Sequence, residues 1–301
     1  MQTTFSYNVK CDLASIPVKS PCCKRALLFG LLYAATLCDE GGLEVSFSHD
    51  GVSALAEELI KEVFKQESPA EPLTVVGRKL FRHHVSSKKA AAFVAALDGN
   101  AQEPLSALVG FKCATCRICF LRGIFLSIGT MTDPQKASHA ELLLSKPGRA
   151  EKLDDFLALC GIPARRTERS GRVVLYYKKS TDLEEFFAEL GGNALVFELI
   201  NLKIEKEIRN NENRATNCVA TNIARTVNAT AKQLASIEAL KERDMLEGLP
   251  EDLRITAELR LQNGEASLAE LAALHTPPLS KSGLNHRLSK ITEFAKKRNL
   301  I

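Results

Sequence analysis

Two copies of one sequence pattern, 93 residues apart, constrain the fold of the first two-thirds of this chain. Cys23–Ala34 aligns with Cys116–Ser127, and Phe93–Gly99 aligns with Phe186–Gly192 at the same offset. Solenoid repeats have shorter periods of about 20–50 residues. A period of this length is typical of a duplicated half-domain, so we predict one pseudo-symmetric domain made of two similar halves.

Each copy carries the signals of a helix, strands, a second helix, further strands and a third helix. Apolar residues alternate with polar ones in strands and recur every three or four residues in helices, and both patterns occur in each copy. The elements predicted between the aligned ends of the first copy are a strand at Glu44–Ser48, a helix at Val52–Phe64 and a basic, β-rich stretch at Arg78–Val85. Those of the second copy are Glu141–Ser145, Arg149–Leu159 and Arg172–Lys178. This order predicts an α+β domain.

The first helix of each copy has a glycine, Gly30 or Gly123, inside an apolar run. Glycine within a helix costs about 0.5–1 kcal/mol relative to alanine, so its presence requires a reason. One interpretation is that the two helices pack closely with Gly30 facing Gly123 at a pseudo-twofold axis. The other is an ordinary contact between each helix and a sheet. The equal offset favours the first interpretation.

The same helices resemble the motif of the LAGLIDADG homing endonucleases. Leu121–Gly129 carries the resemblance, and Leu28–Thr36 is a weaker version. In those nucleases the eighth motif position is an acidic metal ligand, whereas here it is Ala35 or Ile128. Neither side chain offers the oxygen ligands that Mg²⁺ requires, and metal-assisted cleavage needs carboxylates beside the phosphate.

Two aspartates, Asp39 and Asp133, lie four or five residues beyond those motif positions, past the expected helix ends. We therefore expect no catalytic residues in a scaffold that has lost the nuclease chemistry. The alternative function is a metal-dependent DNA endonuclease of the homing-endonuclease type.

The nine cysteines do not predict a disulfide framework, because they are sparse and odd in number. The spacing of Cys113, Cys116 and Cys119 suggests a zinc or iron–sulfur site, and the Cys22-Cys23 pair at the matching place in the first copy offers further ligands. A ferredoxin-type run needs a fourth cysteine in a set position, and a zinc ribbon needs a second C-x2-C pair. Both are missing, so we interpret these thiols as structural groups at a helix start and expect no metal and no cofactor.

Composition is that of an ordinary globular protein, with 25% charged residues. No apolar run reaches the roughly 20 residues that a membrane span requires, and the first residues lack a signal-peptide pattern. We expect a cytoplasmic protein with no membrane association. The net charge of +4 is too small to decide about nucleic acid, so the distribution of charge has to decide.

The stretch from Ala194 to Arg243 has neither proline nor glycine and is predicted to be helical, with an amphipathic helix from Thr226 to Glu247. Its centre is rich in asparagine, a mediocre helix former. One explanation, which we favour, is a polar interface or strut between domains; the other is contact with phosphates. The asparagines on one helix face are Asn210, Asn213 and Asn217, and the candidate secondary DNA contacts are Arg209, Asn213 and Arg214.

Three closely spaced helices are predicted after Pro250. They are Glu251–Gln262, Leu268–Leu274 and Lys281 to about Arg298. Ser267 and Glu270 have the spacing of a capping box, and Ser280 is placed to cap the last helix. Prolines between the last two helices force a turn. The last helix has one apolar stripe, formed by Leu284, Leu288, Ile291 and Phe294.

Two short helices joined by a tight turn are typical of a helix-turn-helix, whose second helix enters the major groove. From Ser280 to Ile301 there are six basic residues and one acidic residue, so positive charge is concentrated where DNA would lie. The candidate base contacts are Lys281, Ser282, Asn285 and His286, and the candidate phosphate contacts are Arg287 and Lys290. The alternative is a charged helix that is merely solvated.

The whole chain resembles the WhiA family of Gram-positive bacteria. Four segments carry the match: Cys22–Ala26, Phe120–Gly123, Arg209–Cys218 and Ser280–Leu288. The resemblance implies a degenerate homing-endonuclease domain and a C-terminal helix-turn-helix similar to region 4 of sigma factors, with DNA contact in the Ser267–Leu300 region. It implies double-stranded DNA as the partner, with other regulators or division proteins as further partners. The implied role is nucleoid-associated and lies in cell division and chromosome segregation, or in sporulation gene control in some relatives.

The first copy departs most from the nuclease motif, at Tyr33–Thr36, which questions DNA contact by the repeat domain. That domain either adds phosphate contacts through a saddle-shaped sheet or serves as a scaffold for protein interaction. Seven basic residues are candidates for the concave sheet, with scattered surface charge as the alternative: Arg78, Lys79, Arg82, Arg165, Arg166, Arg169 and Arg172.

The predicted architecture is thus an α+β LAGLIDADG-like domain followed by an all-α helix-turn-helix domain. We expect the first domain over residues 1–203, with repeats at about 20–100 and 113–193. A polar helical linker over residues 204–247 and the helix-turn-helix domain over residues 248–301 complete the chain.

Overall fold

A computed structural model describes residues 4–38, 41–99 and 103–301 of the chain. The chain divides into two compact units, Met1–Lys206 and Glu207–Ile301. The first unit contains helices and two antiparallel sheets, whereas the described elements of the second unit are all helical. The predicted fold class, an α+β repeat domain followed by an all-α domain, is confirmed.

The first unit repeats one order of helices and strands. Helix α1 (Phe5–Ser15) precedes the first repeat, which consists of α2 (Pro21–Leu31), β1 (Thr36–Leu37), β2 (Leu43–Phe47), α3 (Asp50–Phe64), β3 (Glu71–Val75), β4 (Arg78–Val85) and α4 (Lys88–Asp98). Helix α5 (Leu105–Val109) precedes the second repeat, which consists of α6 (Ala114–Ile128), β5 (Gly129–Met131), β6 (Ala140–Leu144), α7 (Pro147–Leu159), β7 (Arg165–Arg169), β8 (Arg172–Tyr177) and α8 (Ser180–Glu189).

The two sheets have the same topology, with strand orders β1-β2-β4-β3 and β5-β6-β8-β7. Residues alternate between the core and the exposed face: in β2, Leu43, Val45 and Phe47 are buried, whereas Glu44 and Ser46 are not. This alternation and the helical apolar spacing explain why the strands and helices of both copies could be predicted from the sequence. The predicted strands and helices of both repeats are confirmed, with shifts of a few residues at their ends.

Helices α2 and α6 pack directly against each other through their glycines. A Cβ atom added at Gly30 would collide with the backbone oxygen of Phe120, and one added at Gly123 would collide with the backbone oxygen of Leu27. The prediction that Gly30 faces Gly123 is confirmed, and the alternative of separate contacts with a sheet is wrong. Close packing of two helix backbones explains why glycine stands in the middle of each helix.

Helix α9 (Asn193–Glu242) begins in the first unit and ends in the second. It stops before the predicted end at Glu247, because Met245 N donates to Leu240 O and the backbone reaches a left-handed φ of 52° at Asp244. Three further helices follow: α10 (Glu251–Gln262), α11 (Leu268–Ala273) and α12 (Lys281–Lys297). Their existence and order are as predicted.

The second unit has a core of its own, to which the last turns of α9 contribute. Its buried side chains come from all four helices and include Ile237, Leu240, Leu253, Ala257, Leu271, Leu284, Leu288 and Ile291. In the described part of the chain, no helix combines the length and the apolar character needed to cross a bilayer.

Candidate nucleic-acid interface

Helices α11 and α12 are joined by a tight, capped turn. Ser267 and Glu270 form the predicted capping box at the start of α11. Leu279 N donates to Ala272 O at 3.0 Å and closes the turn, and Gly283 N donates to the Ser280 hydroxyl at 3.1 Å at the start of α12. These local hydrogen bonds fix where α12 begins and therefore which residues occupy its first turns.

One stripe of α12 is buried and the opposite face is exposed. Leu284, Leu288 and Ile291 are buried as predicted, whereas Phe294 is only partly buried and Ala295 completes the stripe. On a helix, Ser282, His286 and Lys290 succeed one another at four-residue spacing on the side away from this stripe. Lys290 is exposed, and so are the four candidate base contacts Lys281, Ser282, Asn285 and His286.

Arg287, the other candidate phosphate contact, is held by helix α10. Its Nη1 donates to Asp252 O at 3.3 Å, and its Nε lies 3.6 Å from Asp252 Oδ2. The side chain of Asp252 remains 53% exposed, so solvent and an incoming anion both have access to the pair. Arg287 therefore fastens α12 to α10 and stands at the edge of the exposed face.

Asn285 lies beside a groove between α12 and the last part of α9. The groove has a volume of about 330 Å³ and is also lined by Lys232, Ser289 and Lys296. Hydrogen bonding and charge repulsion from Lys296 lower the pKa of Lys232, since two ammonium groups meet there. Sequence reasoning missed Lys232, because this residue precedes the helix-turn-helix and only the fold brings it beside Lys296.

A buried arginine supports the base of the helix-turn-helix. Arg260 is 1% exposed, and its Nη2 donates to Thr230 Oγ1 of α9 at 2.8 Å. Its Nη1 donates to Ala266 O, in the connection between α10 and α11. The guanidinium thus ties α9 to that connection. Arg260 was not among the predicted functional residues because its partners are a hydroxyl and a backbone carbonyl, which form no charge pattern.

Two family models match the chain. One, the WhiA LAGLIDADG-like domain, covers residues 117–209, and the other, the WhiA C-terminal HTH domain, covers residues 213–295. A protein of Heliobacterium modesticaldum named probable cell division protein WhiA is 31% identical over 309 residues, spanning 97% of this chain and 96% of the relative. The chain belongs to the WhiA family.

The likeness to WhiA proteins extends over both units. The relative of the same name from Alkaliphilus oremlandii is 32% identical over 98% of this chain and 97% of its own length. The crystal structure of full-length DUF199/WhiA from Thermotoga maritima matches with a TM-score of 0.57 and 27% identity, covering 98% of this chain and 99% of that one. The WhiA resemblance inferred from the four sequence segments is confirmed.

The LAGLIDADG-like helices of this WhiA chain end on buried cations rather than carboxylates. Lys10 is 7% exposed and its Nζ donates to Leu126 O at 2.9 Å. Arg149 is 4% exposed and its Nη1 donates to the backbone oxygens of Tyr33 and Ala35 at 2.7 and 2.8 Å. Cations are favourable at helix C-termini. Burial lowers the pKa of Lys10 to about 8.

Asp98 pairs with Arg149 and with Lys146, and it faces no open metal site. Asp98 accepts hydrogen bonds from Arg149 Nε and Lys146 Nζ, both at 2.6 Å. Burial raises the pKa of Asp98, but the hydrogen bonds from Arg149 and Lys146 outweigh it and hold the pKa below its usual value. The adjoining cavity, of about 30 Å³, is lined by no carboxylate among residues 4–38, 41–99 and 103–301.

Of the two aspartates beyond the motif positions, the structure describes Asp133. Asp133 Oδ1 accepts a hydrogen bond from Gln135 N at 2.9 Å, so Asp133 forms a local turn. Asp39 lies outside the described residues.

The seven basic strand residues of the WhiA repeat domain do not share one sheet face. Strand alternation puts Lys79 on the same side of β4 as the buried residues His83 and Val85, and puts Arg166 on the side of α7, where it pairs with Glu151 at 3.7 Å. The prediction that all seven line one sheet surface is therefore wrong. The residues left on the opposite faces of the two sheets are Arg78 and Arg82 in the first sheet and Arg165, Arg169 and Arg172 in the second.

The sheet faces that carry these five arginines carry acidic residues as well. Glu44 Oε2 lies 3.9 Å from Arg82 Nε, and Glu141 Oε1 lies 3.0 Å from Arg169 Nη2. The two glutamates occupy the second position of β2 and β6, so the feature occurs in both repeats. Carboxylates at these positions reduce the positive potential that phosphate binding requires.

The polar centre of α9 is exposed to solvent. Arg209, Asn213 and Arg214 are all exposed, as are their neighbours from residue 204 to residue 229. Their roles as a strut or as secondary DNA contacts stay predictions.

Proposed function

We propose that the protein is a non-catalytic DNA-binding regulator that reads duplex DNA with α12 as its recognition helix. The observation that carries the proposal is the exposed face of α12. From Lys281 to Thr292 this helix has four basic or histidine side chains within the exposed or bordering positions and no carboxylate. A positive helix of this kind, preceded by a short helix and a tight turn, has the form that enters a major groove.

The first turns of α12 supply the contacts to bases. Asn285 suits the N6 and N7 edge of adenine, Lys281 suits guanine, and the short Ser282 and the ring of His286 reach neighbouring edges. Lys290 lies further along the same face and contacts the phosphate backbone. Base contacts set the sequence preference, while phosphate contacts set the register and the salt dependence.

Arg287 contacts a phosphate by exchanging its bond to Asp252. The Arg287–Asp252 pair is accessible to solvent, and such pairs contribute about 0–1 kcal/mol, so a phosphate competes with it readily. Lys232 and Lys296 provide a further phosphate position, because an anion between two close ammonium groups relieves their repulsion. Both lysines border the same edge of α12 as Asn285.

The repeat domain does not cleave DNA in this proposal. Lys10 and Arg149 place positive charge at the helix ends where a catalytic divalent cation would have to lie, and like charges oppose one another strongly in a buried site. The test is plasmid DNA incubated with purified protein and Mg²⁺ or Mn²⁺. No nicking above a no-protein control is expected, whereas reproducible, metal-dependent nicking would favour the endonuclease alternative.

The division of labour we propose follows the predicted domains. Residues 1–203 serve mainly as a scaffold, residues 204–247 as a polar strut with Arg209, Asn213 and Arg214 as secondary DNA contacts, and residues 248–301 as the DNA-binding domain. The mixed charge of the sheet face supports the scaffold role. The name of the relatives, probable cell division protein WhiA, supports a role in cell division. We propose that this role is regulatory and extends to chromosome segregation.

Selection from a random duplex library tests the proposal without assuming a target sequence. The full-length chain is expected to enrich a short preferred sequence, and Kd for that duplex is expected to rise steeply with salt. Failure to enrich any sequence, with equal affinity for all duplexes, would contradict recognition by α12.

A further inference from the structure

Four thiols from the two repeats meet at the N-terminal ends of α2 and α6. The Sγ atoms of Cys22, Cys23, Cys113 and Cys116 all lie within 4.8 Å of one another. Cys113 Sγ is 3.8 Å from that of Cys22 and 3.5 Å from those of Cys23 and Cys116. Four thiolates bound tetrahedrally to zinc, at a Zn–S distance of about 2.3 Å, have sulfurs separated by about 3.8 Å.

We propose that Cys22, Cys23, Cys113 and Cys116 bind one zinc ion as a tetrathiolate site that joins the two repeats. The separation of the sulfurs fits a single ion. An iron–sulfur cluster places several metal ions and sulfides between its cysteines and requires a wider arrangement. On binding, the thiols release their protons to solvent and the thiolates coordinate the cation.

Packing alone does not account for this arrangement. Cys23 and Cys116 are buried and would be satisfied as small apolar groups, but Cys113 is exposed and Cys22 only half-buried. Cys113 is also the N-cap residue of α6, and its side chain makes no capping hydrogen bond. A cysteine that neither packs in the core nor caps its helix is explained by binding a ligand.

The surroundings suit the negative charge of such a site. Four thiolates and one Zn²⁺ carry a net charge of about −2. The first turns of α2 and α6 contain no acidic residue, and both helices direct their free N–H groups and positive dipole ends toward this region. Lys24, Arg25 and Arg117 follow the cysteines in sequence and add basic charge nearby.

The zinc site is separate from the position of the lost nuclease metal ligands. Helix α2 begins at the thiols, and Ala35 follows its other end, about 20 Å away at 1.5 Å per residue. The proposed ion therefore has a structural role. It links the start of α2 to the start of α6, whereas Gly30 and Gly123 join the same helices further along.

The sequence did not predict a four-cysteine site because each repeat contributes half of the ligands. The C-x2-C pair at Cys113 and Cys116 has no second C-x2-C pair, and its complement is the adjacent pair Cys22 and Cys23. From the sequence, Cys22 and Cys23 are candidates for further ligands, but the thiols are interpreted as structural groups because no second C-x2-C pair is present. Only the pairing of α2 with α6 assembles four ligands.

The test is the metal content of the full-length chain, purified without a polyhistidine tag or chelator and measured by plasma mass spectrometry. We expect one zinc ion per chain, and its loss in Cys113→Ser. Serine is a favourable N-cap residue, so this variant preserves the start of α6 while removing a ligand. The matched control is Cys119→Ala, which removes a buried thiol on the same helix outside the four and is expected to retain zinc.

Thermal unfolding gives a readout that a packing role would not produce. Zinc binding predicts that Cys113→Ser lowers Tm and that a chelator lowers the Tm of the wild type but not of this variant. If the thiol only packs, serine at the N-cap leaves Tm unchanged or raises it. Cobalt added to the metal-free wild type should give the absorption bands of tetrahedral thiolate coordination, and Cys22→Ser should abolish them.

Three results would overturn the proposal. They are a wild-type chain without bound metal after purification from zinc-supplemented cells, iron in place of zinc at the same stoichiometry, and a disulfide among the four cysteines in protein purified without oxygen.

Discussion

Gly30 and Gly123 face each other across the α2–α6 contact, and each leaves room only for the other's backbone. A Cβ added at Gly30 would lie 2.9 Å from the Cα of Gly123, and a Cβ added at Gly123 would lie 2.9 Å from the Cα of Gly30. The reciprocity follows from the duplication: equivalent residues of two repeats meet where the pseudo-symmetry brings the helices together. The domain depends on this contact because its two halves join there.

Alanine at either glycine is expected to destabilise the protein. Gly30→Ala and Gly123→Ala would force the helix backbones apart, and such overpacking costs about 1–3 kcal/mol. Urea unfolding of each variant measures the change. Gly148→Ala is the control, because Gly148 lies in helix α7 with nothing near its added Cβ, so helix propensity should leave stability unchanged or raise it by up to about 1 kcal/mol. Equal effects of all three substitutions would contradict the packing argument.

Lys10→Met is expected to change how stability depends on pH. Burial lowers the folded-state pKa of Lys10 to about 8, below its usual value of 10.5, so the folded protein releases this proton before the unfolded chain does. The cost of burying the charge is present below pH 8 and is relieved as pH rises toward 10.5. The free energy of unfolding of the wild type should therefore rise relative to that of Lys10→Met by about 2 kcal/mol between roughly pH 7 and 10. If urea unfolding gave the wild type and Lys10→Met parallel pH profiles of the free energy of unfolding, the lowered pKa of Lys10 would be contradicted.

Arg149→Met is expected to be strongly destabilising. The substitution removes the donor to the carbonyls of the buried Tyr33 and Ala35, and each polar group left unsatisfied costs about 1–3 kcal/mol. Asp98 loses its pair with Arg149 and keeps Lys146 as a partner. Arg166→Met is the control, since Arg166 is exposed and pairs with Glu151 at 3.7 Å on the surface. Chemical unfolding of both variants measures the loss of stability that each substitution causes. A loss for Arg149→Met no greater than for Arg166→Met would mean that the buried arginine is dispensable.

Asn285→Ala and Arg287→Ala are expected to affect DNA binding in different ways. Losing a base contact should relax the preference at one position of the selected duplex, at a cost of about 1–3 kcal/mol. Losing a phosphate contact should weaken binding to all duplexes and lower the salt slope by about one. Titrations of the selected and a scrambled duplex at several salt concentrations separate the two effects.

Two further variants control that comparison. Lys290→Ala removes a phosphate contact without touching Asp252, so it separates lost DNA contact from a loosened helix in Arg287→Ala. Lys241→Ala removes an exposed lysine of α9 and should leave affinity unchanged. The assigned roles fail if Asn285→Ala and Lys290→Ala behave alike.

The sequence predicted those parts of the molecule that apolar periodicity determines. The repeats, α10 and the helix-turn-helix all have one buried face, so their spacing reveals them. Strand β7 was given no range, although Arg165, Arg166 and Arg169 were placed on the sheet, because all five of its residues are exposed and show no apolar alternation. The end of α9 was placed too late because the backbone adopts a left-handed conformation at Asp244 and stops the helix before Glu247.

The contacts of the buried polar side chains could not be predicted from the sequence, for a different reason. Lys10, Arg149 and Arg260 are buried on backbone carbonyls, and such partners leave no pattern of opposite charges to detect. Lys232 and Lys296 come together only through the packing of α9 against α12. By contrast, the exposure of Lys281, Ser282, Asn285 and His286 followed from the one apolar stripe of α12, so the candidate contact face could be chosen from the sequence.

Comparing basic residues of α12 with those of the repeat sheets is the most direct test of where DNA is held. One full-length variant combines Lys281→Ala, His286→Ala and Lys290→Ala, and the other combines Arg78→Ala, Arg165→Ala and Arg172→Ala; each removes three exposed side chains. For the selected duplex at fixed salt, the α12 variant should raise Kd more than about 100-fold, and the sheet variant should change it less than about threefold. A larger loss from the sheet variant, or undiminished binding by the α12 variant, would contradict the assignment of DNA recognition to this helix.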